Sequence, residues 1–222
     1  MQRLLLFDFD GTLYRGDDPF LYYAKTIAKH MAPEDRARYE KLVTAHLQGH
    51  AGVVAGDNWE AVVKLAEPYV PDHEVWQQSF LETREYMMSP DCRLEVPAAL
   101  IDFLPQVRAK VHVVVASNSP ENAARPLMEK LGLITYFDRI YSQANKPEGL
   151  IALVEEIMGT RDFDPLLVYS VGDNYLNDIA PAVQRGWLTA HISPHEYFPG
   201  PSTIHGRNLE DVLPHVTKWA LG

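Results

Sequence analysis

Cysteine is nearly absent from this chain: Cys92 is the only one among 222 residues. That excludes an intrachain disulfide and a multi-cysteine zinc site, and it fits a reducing compartment. Long hydrophobic runs are missing as well. No stretch reaches the roughly eighteen consecutive apolar residues that a membrane-spanning helix needs. Leu4 to Leu6 run directly into Asp8 with no basic segment ahead of a cleavable apolar stretch, so no secretory leader is expected. Positive charge is scarce, because Lys and Arg total 20 against 30 for Asp and Glu, a net charge of -10. Such a balance argues against DNA or RNA as a partner. Internal repeats and low-complexity tracts are also lacking. The expectation is a cytoplasmic globular protein, with the 46% hydrophobic content of an ordinary core, whose partner is a small molecule. Its oligomeric state has no sequence signature.

What is present begins with Leu4-Leu5-Leu6-Phe7-Asp8-Phe9-Asp10-Gly11-Thr12-Leu13. A short apolar run closed by a turn signal reads as a strand buried on both faces, as in a parallel sheet covered by helices. Side chains alternate along a strand, so Asp8 and Asp10 project to one side of its carboxyl end and Phe7 and Phe9 to the other. Two carboxylates held together raise each other's pKa and destabilise the fold unless a cation or a shared proton offsets the repulsion. The carboxyl end of a parallel strand is also where open α/β sheets bind ligands.

Tyr14-Arg15-Gly16-Asp17-Asp18-Pro19 is a polar, turn-rich connection, and from there to about residue 90 the pattern is helical. Leu21, Ala24, Ile27, Ala28 and Met31 predict one face of a first helix, and Pro33 opens a second that carries Tyr39, Leu42, Val43 and Leu47. Asp57 and Glu60 form a capping-box pattern for a third, through Trp59, Val62, Val63 and Ala66. Asp72 is placed to cap a fourth, through Val75, Trp76, Phe80 and Met87. Four such helices make a small bundle.

After Pro97 helices alternate with apolar strands at 111–116, 139–142, 166–171 and 187–192, the pattern of a doubly wound parallel sheet. Residues 193–207, rich in Pro, Gly and His, read as a surface loop before a terminal helix through Val212, Val216 and Trp219. The expected organisation is an α/β core of 1–15 and 97–222, interrupted by a helical insertion at 16–96. An insertion of roughly 80 residues is far longer than an ordinary connection and needs a core of its own. Because it leaves and re-enters near the aspartate pair, it is expected to stand over the strand ends as a lid.

Four polar groups fall at the carboxyl ends of predicted strands or the starts of the helices that follow: Asp8 with Asp10, Ser117 with Asn118, Lys146, and Asp173 with Asp178. Singly, most have a plainer reading. Ser117-Asn118 suits a helix N-cap, Lys146-Pro147 a solvated helix start, and Gly172-Asp173-Asn174 a turn. The aspartate pair at the end of a buried strand has no comparable alternative. His30, His46, His191, His195 and His205 lack metal-ligand spacing and read as structural or exposed.

In order along the chain, Asp8-Phe9-Asp10-Gly11-Thr12-Leu13, Ser117-Asn118, Lys146-Pro147 and Gly172-Asp173-Asn174-Tyr175-Leu176-Asn177-Asp178 resemble the four motifs of the haloacid dehalogenase-like hydrolase superfamily. Placement of the helical insertion between the first and second motifs is similar to its phosphoglycolate phosphatase and β-phosphoglucomutase branches. The resemblance implies a Rossmann-like core and a phosphatase working through an aspartyl-phosphate. Asp8 would be the nucleophile and Asp10 the general acid and then base. Ser117, Asn118 and Thr12 would contact the phosphate with nearby backbone N–H groups, and Lys146 would balance charge. Mg²⁺ would be held by the Asp8 carboxylate, the Asp10 backbone carbonyl, Asp173 and Asp178.

Dehalogenases of the superfamily typically lack the second aspartate, so Asp10 favours phosphoryl transfer. Two alternatives stay open: a phosphomutase of the same fold, and a non-catalytic module that binds a phosphorylated ligand or a protein. In the insertion, Gly49-His50-Ala51-Gly52-Val53-Val54-Ala55-Gly56 is the candidate specificity loop. It has no Lys or Arg with which to grip a second phosphate or form a Schiff base. His50 is either a substrate contact or a solvated loop histidine.

Overall fold

The computed structural model describes residues 2–50, 53–195 and 198–222. The chain divides into two compact units, Met1–Arg15 with Glu95–Gly222, and Gly16–Leu94. Ala51 and Gly52 of the candidate specificity loop lie outside the described residues.

The first unit is built on six parallel strands: β1 (Arg3–Phe7), β2 (Val111–Ala116), β3 (Arg139–Tyr141), β4 (Val168–Gly172), β5 (Leu188–Ile192) and β6 (Ile204–Gly206), in the order β3-β2-β1-β4-β5-β6. Five helices accompany them: α5 (Ala98–Val107), α6 (Glu121–Lys130), α7 (Glu148–Met158), α8 (Ala180–Gln184) and α9 (Leu209–Leu221). This is a doubly wound, Rossmann-like α/β sheet.

β1 is central, paired with β2 on one side and β4 on the other, and Leu4, Leu5, Leu6 and Phe7 are all buried. Two-sided burial explains why this strand shows no alternation of apolar and polar residues. Leu4 and Leu6 share a core with Val114, Val168, Leu150 and Val154 of α7, and Ala182 of α8. Phe7 meets Phe103 of α5 and Phe137 edge-on, with ring centroids 6.4 and 6.2 Å apart. The order of strands reverses direction between β1 and β4, and the crevice at their carboxyl ends is where such sheets hold ligands.

β6 corrects the expectation of a plain loop over 193–207. It pairs with β5 through Ala190↔Ile204, His191↔His205 and Ile192↔Gly206. Beside it the Thr189 and Thr203 hydroxyls each accept from the other's backbone N–H at 2.9 Å. Three residues at a sheet edge are too few for an alternating pattern to be legible. β4 also starts later than expected, since Pro165–Leu167 form a single 3₁₀ turn capped by Asp164.

The second unit is a four-helix cluster of α1 (Asp18–Ala28), α2 (Pro33–Leu47), α3 (Asn58–Ala66) and α4 (His73–Met88). Asp57 and Asp72 cap α3 and α4 as expected, accepting from the backbone N–H of Glu60 at 2.8 Å and of Glu74 at 2.9 Å. Phe20, Tyr23, Ala24, Ile27, Tyr39, Val43 and Val62 form its core. Leu21 departs from the expected face and is 41% exposed. Phe20 and Tyr23 turn inward instead, with Pro19 in the first turn of α1. His50 is exposed, as a solvated loop histidine would be.

Candidate active site

β1 delivers Asp8 just past its last residue, and the Asp8 N–H still donates to the Val171 carbonyl at 2.9 Å, extending the ladder to β4 by one bond. The chain then turns through Gly11 at φ +84°. A β-carbon there would overlap the Asp173 carboxylate, so glycine is required both for the backbone and for the space it leaves. At Gly172 the backbone makes no such demand, but a β-carbon would overlap the Asp178 carboxylate.

The carboxylates of Asp8, Asp173 and Asp178 each place an oxygen within 4.8 Å of the others. Asp178 reaches them from a π-turn, Tyr175–Ile179, a wide turn of the kind that recurs at functional sites. Local bonds shape that turn: the Asn174 side chain accepts from the Asn177 N–H at 3.2 Å, and the Ser170 hydroxyl donates to the Asp178 carbonyl at 2.8 Å. Among the described residues no other carboxylate, histidine or cysteine belongs to this group, and the Asp10 carboxylate is outside it.

Lys146 joins two of the three acids. Its Nζ lies 2.6 Å from Asp8 Oδ1 and 2.5 Å from Asp178 Oδ1, and its side chain is 3% exposed. Burial alone would depress the ammonium, but Asp178 and Asp8 outweigh it and hold Lys146 protonated well above the usual lysine range. Asp8 moves up to about 7: burial raises it most, Lys146 opposes, and Asp178 and Asp10 add to the rise. A single ammonium cannot neutralise three carboxylates, so the cluster is short of positive charge and either a proton or a cation must enter it.

Asn118 places the lysine. Its side-chain Nδ2 donates to the Lys146 carbonyl at 2.9 Å and its Oδ1 accepts from the Lys146 N–H at 2.7 Å. Both ends of its side-chain amide thus meet the Lys146 backbone. The Thr12 hydroxyl donates to Asp173 Oδ1 at 3.3 Å and so orients a cluster carboxylate. Ser117 is buried at the end of β2, with its hydroxyl accepting from the Ser119 N–H at 3.1 Å.

Sequence reasoning missed two residues. Tyr14 Oη donates to Asp10 Oδ1 at 2.6 Å, and Ser119 Oγ donates to Asp10 Oδ2 at 2.7 Å. His191, buried on β5, donates from Nε2 to the Asp173 carbonyl at 3.1 Å, and burial lowers its pKa so that the ring stays neutral. Proximity of Tyr14 and Ser119 to the motifs was the only signal for them.

A family model of haloacid dehalogenase-like hydrolases matches residues 2–186. The chain belongs to that family. Solved structures of haloacid dehalogenase-like proteins superpose over nearly the whole chain at low identity. YfnB of Bacillus subtilis, described as a HAD-hydrolase and bound to magnesium, gives a TM-score of 0.64 at 18% identity, covering 97% of this chain and 98% of that one. A HAD phosphatase from Thermococcus onnurineus gives 0.61 at 19%, covering 96% and 97%. An L-2-haloacid dehalogenase from Xanthobacter autotrophicus gives 0.57 at 17%, covering 97% and 98%. No curated protein matches by sequence. The family makes the chain a hydrolase, and its relatives of known fold include both a phosphatase and dehalogenases. No helix among the described residues is long and apolar enough to cross a membrane.

Proposed function

We propose that this hydrolase is a Mg²⁺-dependent phosphomonoesterase that forms an aspartyl-phosphate on Asp8 and acts on a small, soluble phosphorylated metabolite in the cytoplasm. The observation that carries the reading is the division of the two motif aspartates. Asp8 lies in a charge cluster with Lys146, and Asp10 stands apart from it, held only 2.6 and 2.7 Å from two hydroxyls. A dehalogenase expels halide and needs no acid for its leaving group. An alcohol leaving group does need one, and Asp10 is built as that group.

The donor set fits a hard divalent cation. Asp8, Asp173 and Asp178 supply oxygen ligands alone, few enough to leave room for water, which suits Mg²⁺. Asp10 would contribute its backbone carbonyl, not its side chain. Bound there, the cation supplies the positive charge that the cluster lacks and lets a dianionic phosphate approach.

The rest is the work of the chain's own groups. The Asp8 carboxylate attacks phosphorus as the ester oxygen departs with a proton from Asp10. Asp10, now ionised, takes a proton from the water that hydrolyses the acyl phosphate. Lys146 holds the nucleophile in place, and the Ser117 hydroxyl with backbone N–H groups after β2, including that of Asn118, receives the phosphoryl oxygens.

The test is phosphate release from p-nitrophenyl phosphate with and without Mg²⁺, for the native chain and Asp8→Asn. Activity that needs the metal and is lost in Asp8→Asn is expected, and equal activity of the two proteins removes Asp8 as nucleophile. For Asp10→Asn, kcat/KM should fall more on alkyl phosphates than on p-nitrophenyl phosphate, because nitrophenolate leaves without a proton.

A further inference from the structure

The two motif aspartates have partners of different chemical kinds. Asp8 is gripped by an ammonium, a group that can only donate. Asp10 is gripped by two hydroxyls, one on each carboxylate oxygen, and a hydroxyl can donate or accept. Both hydroxyls are themselves fixed. Ser119 is tied at its N–H to the Ser117 hydroxyl at 3.1 Å, and at its carbonyl to the Gln143 N–H at 3.0 Å. Tyr14 is buried, with its ring edge-on to Phe9 at 5.3 Å between centroids. One anchor comes from the turn after β1 and the other from the loop after β2, so the carboxyl of Asp10 is braced between two strand ends.

We propose that Tyr14 and Ser119 are the positioning residues of Asp10, a pair of hydroxyl partners, one on each carboxylate oxygen, that keeps its carboxyl aimed at the leaving oxygen. This rests on the phosphatase reading above. With Asp10 ionised, both hydroxyls donate to it, as they do in the structure. Each hydroxyl fixes one carboxylate oxygen, and because the two come from different loops they set both the position and the plane of the carboxyl.

The experiment compares kcat/KM, which includes leaving-group departure but not the later hydrolysis, for an alkyl phosphate and for p-nitrophenyl phosphate. Tyr14→Phe and Ser119→Ala should each lower the alkyl phosphate value by roughly tenfold or more, the worth of one hydrogen bond to a charged group. The p-nitrophenyl value should fall much less. Ser119→Thr, which keeps a hydroxyl, should recover most of the alkyl activity. Equal losses on the two esters, or no recovery in Ser119→Thr, overturns the proposal. A readout independent of turnover is the ¹³Cγ resonance of Asp10, assigned by its disappearance in Asp10→Asn. It should move in both Tyr14→Phe and Ser119→Ala, and a resonance that stays put overturns the proposal whatever the activity. If the native chain hydrolyses neither ester while the resonance moves in both variants, the two anchors stand and the phosphatase reading falls.

Discussion

Replacing Lys146 by methionine tests the electrostatics of the site directly. In the native chain Nζ lies 2.6 Å from Asp8 and 2.5 Å from Asp178, with side chains only 3%, 11% and 3% exposed for Lys146, Asp8 and Asp178. Removing one partner of a buried pair leaves an uncompensated charge and costs on the order of 3–5 kcal/mol. For a protein of this size that lowers Tm by about 6–20 °C. The loss should depend on pH in a known direction. Asp8 already binds its proton up to about 7 in the folded chain, against an ordinary value of 3.8, and loss of the ammonium moves it further up. Between those values the folded state holds more protons than the unfolded one, so stability from this group is lost as pH rises and regained as it falls. Urea unfolding of native chain and Lys146→Met, both free of metal, should therefore show a large gap at about pH 8 that shrinks by about pH 5.5. Mg²⁺ should narrow the gap at the higher pH. A deficit below about 1 kcal/mol, or one of equal size at both pH values, would refute the charge argument.

Three other consequences are open to measurement. Binding of Mg²⁺ must displace the Asp8 proton, so affinity measured by calorimetry should rise up to about tenfold per pH unit below 7 and level off above it; affinity independent of pH contradicts the shift. Gly11→Ala puts a β-carbon into the Asp173 carboxylate at φ +84°, so it should destabilise the chain by about 1–3 kcal/mol and weaken Mg²⁺ binding, whereas normal metal affinity would show that the turn relaxes. Asn118→Ala releases both backbone bonds on Lys146 and should cut kcat by roughly tenfold or more with little change in Mg²⁺ affinity; unchanged kcat would mean that Lys146 holds its place through its acids alone.

The residues that follow strands were legible in the sequence because burial on both faces makes such strands continuous apolar runs, and the first polar residue after each run marks the ligand-binding edge of the sheet. Leu4 to Phe7 therefore announced Asp8, and Val111 to Ala116 announced Ser117. What the sequence could not show is which side chains cross from one loop to another. Tyr14 and Ser119 are ordinary turn residues until the folded chain brings both to Asp10. Asn118 has the chemistry for a phosphate, and only the folded chain shows that its side chain holds the Lys146 backbone. Helix phase was also ambiguous: Ala24, Ile27 and Ala28 fit either reading of α1, and only the packing of Phe20 and Tyr23 excludes Leu21.

The position of β1 in the sheet bears on when the protein becomes competent during its own synthesis. β1 leaves the ribosome before either neighbour, and its partners in β2 and β4 follow more than a hundred residues later. β2 can cover one edge of β1 as soon as it is made, but until β4 arrives the other edge stays open and the cluster lacks Asp173 and Asp178. Closing the second edge of the apolar central strand and completing the acidic cluster are therefore one event, the docking of β4 beside β1.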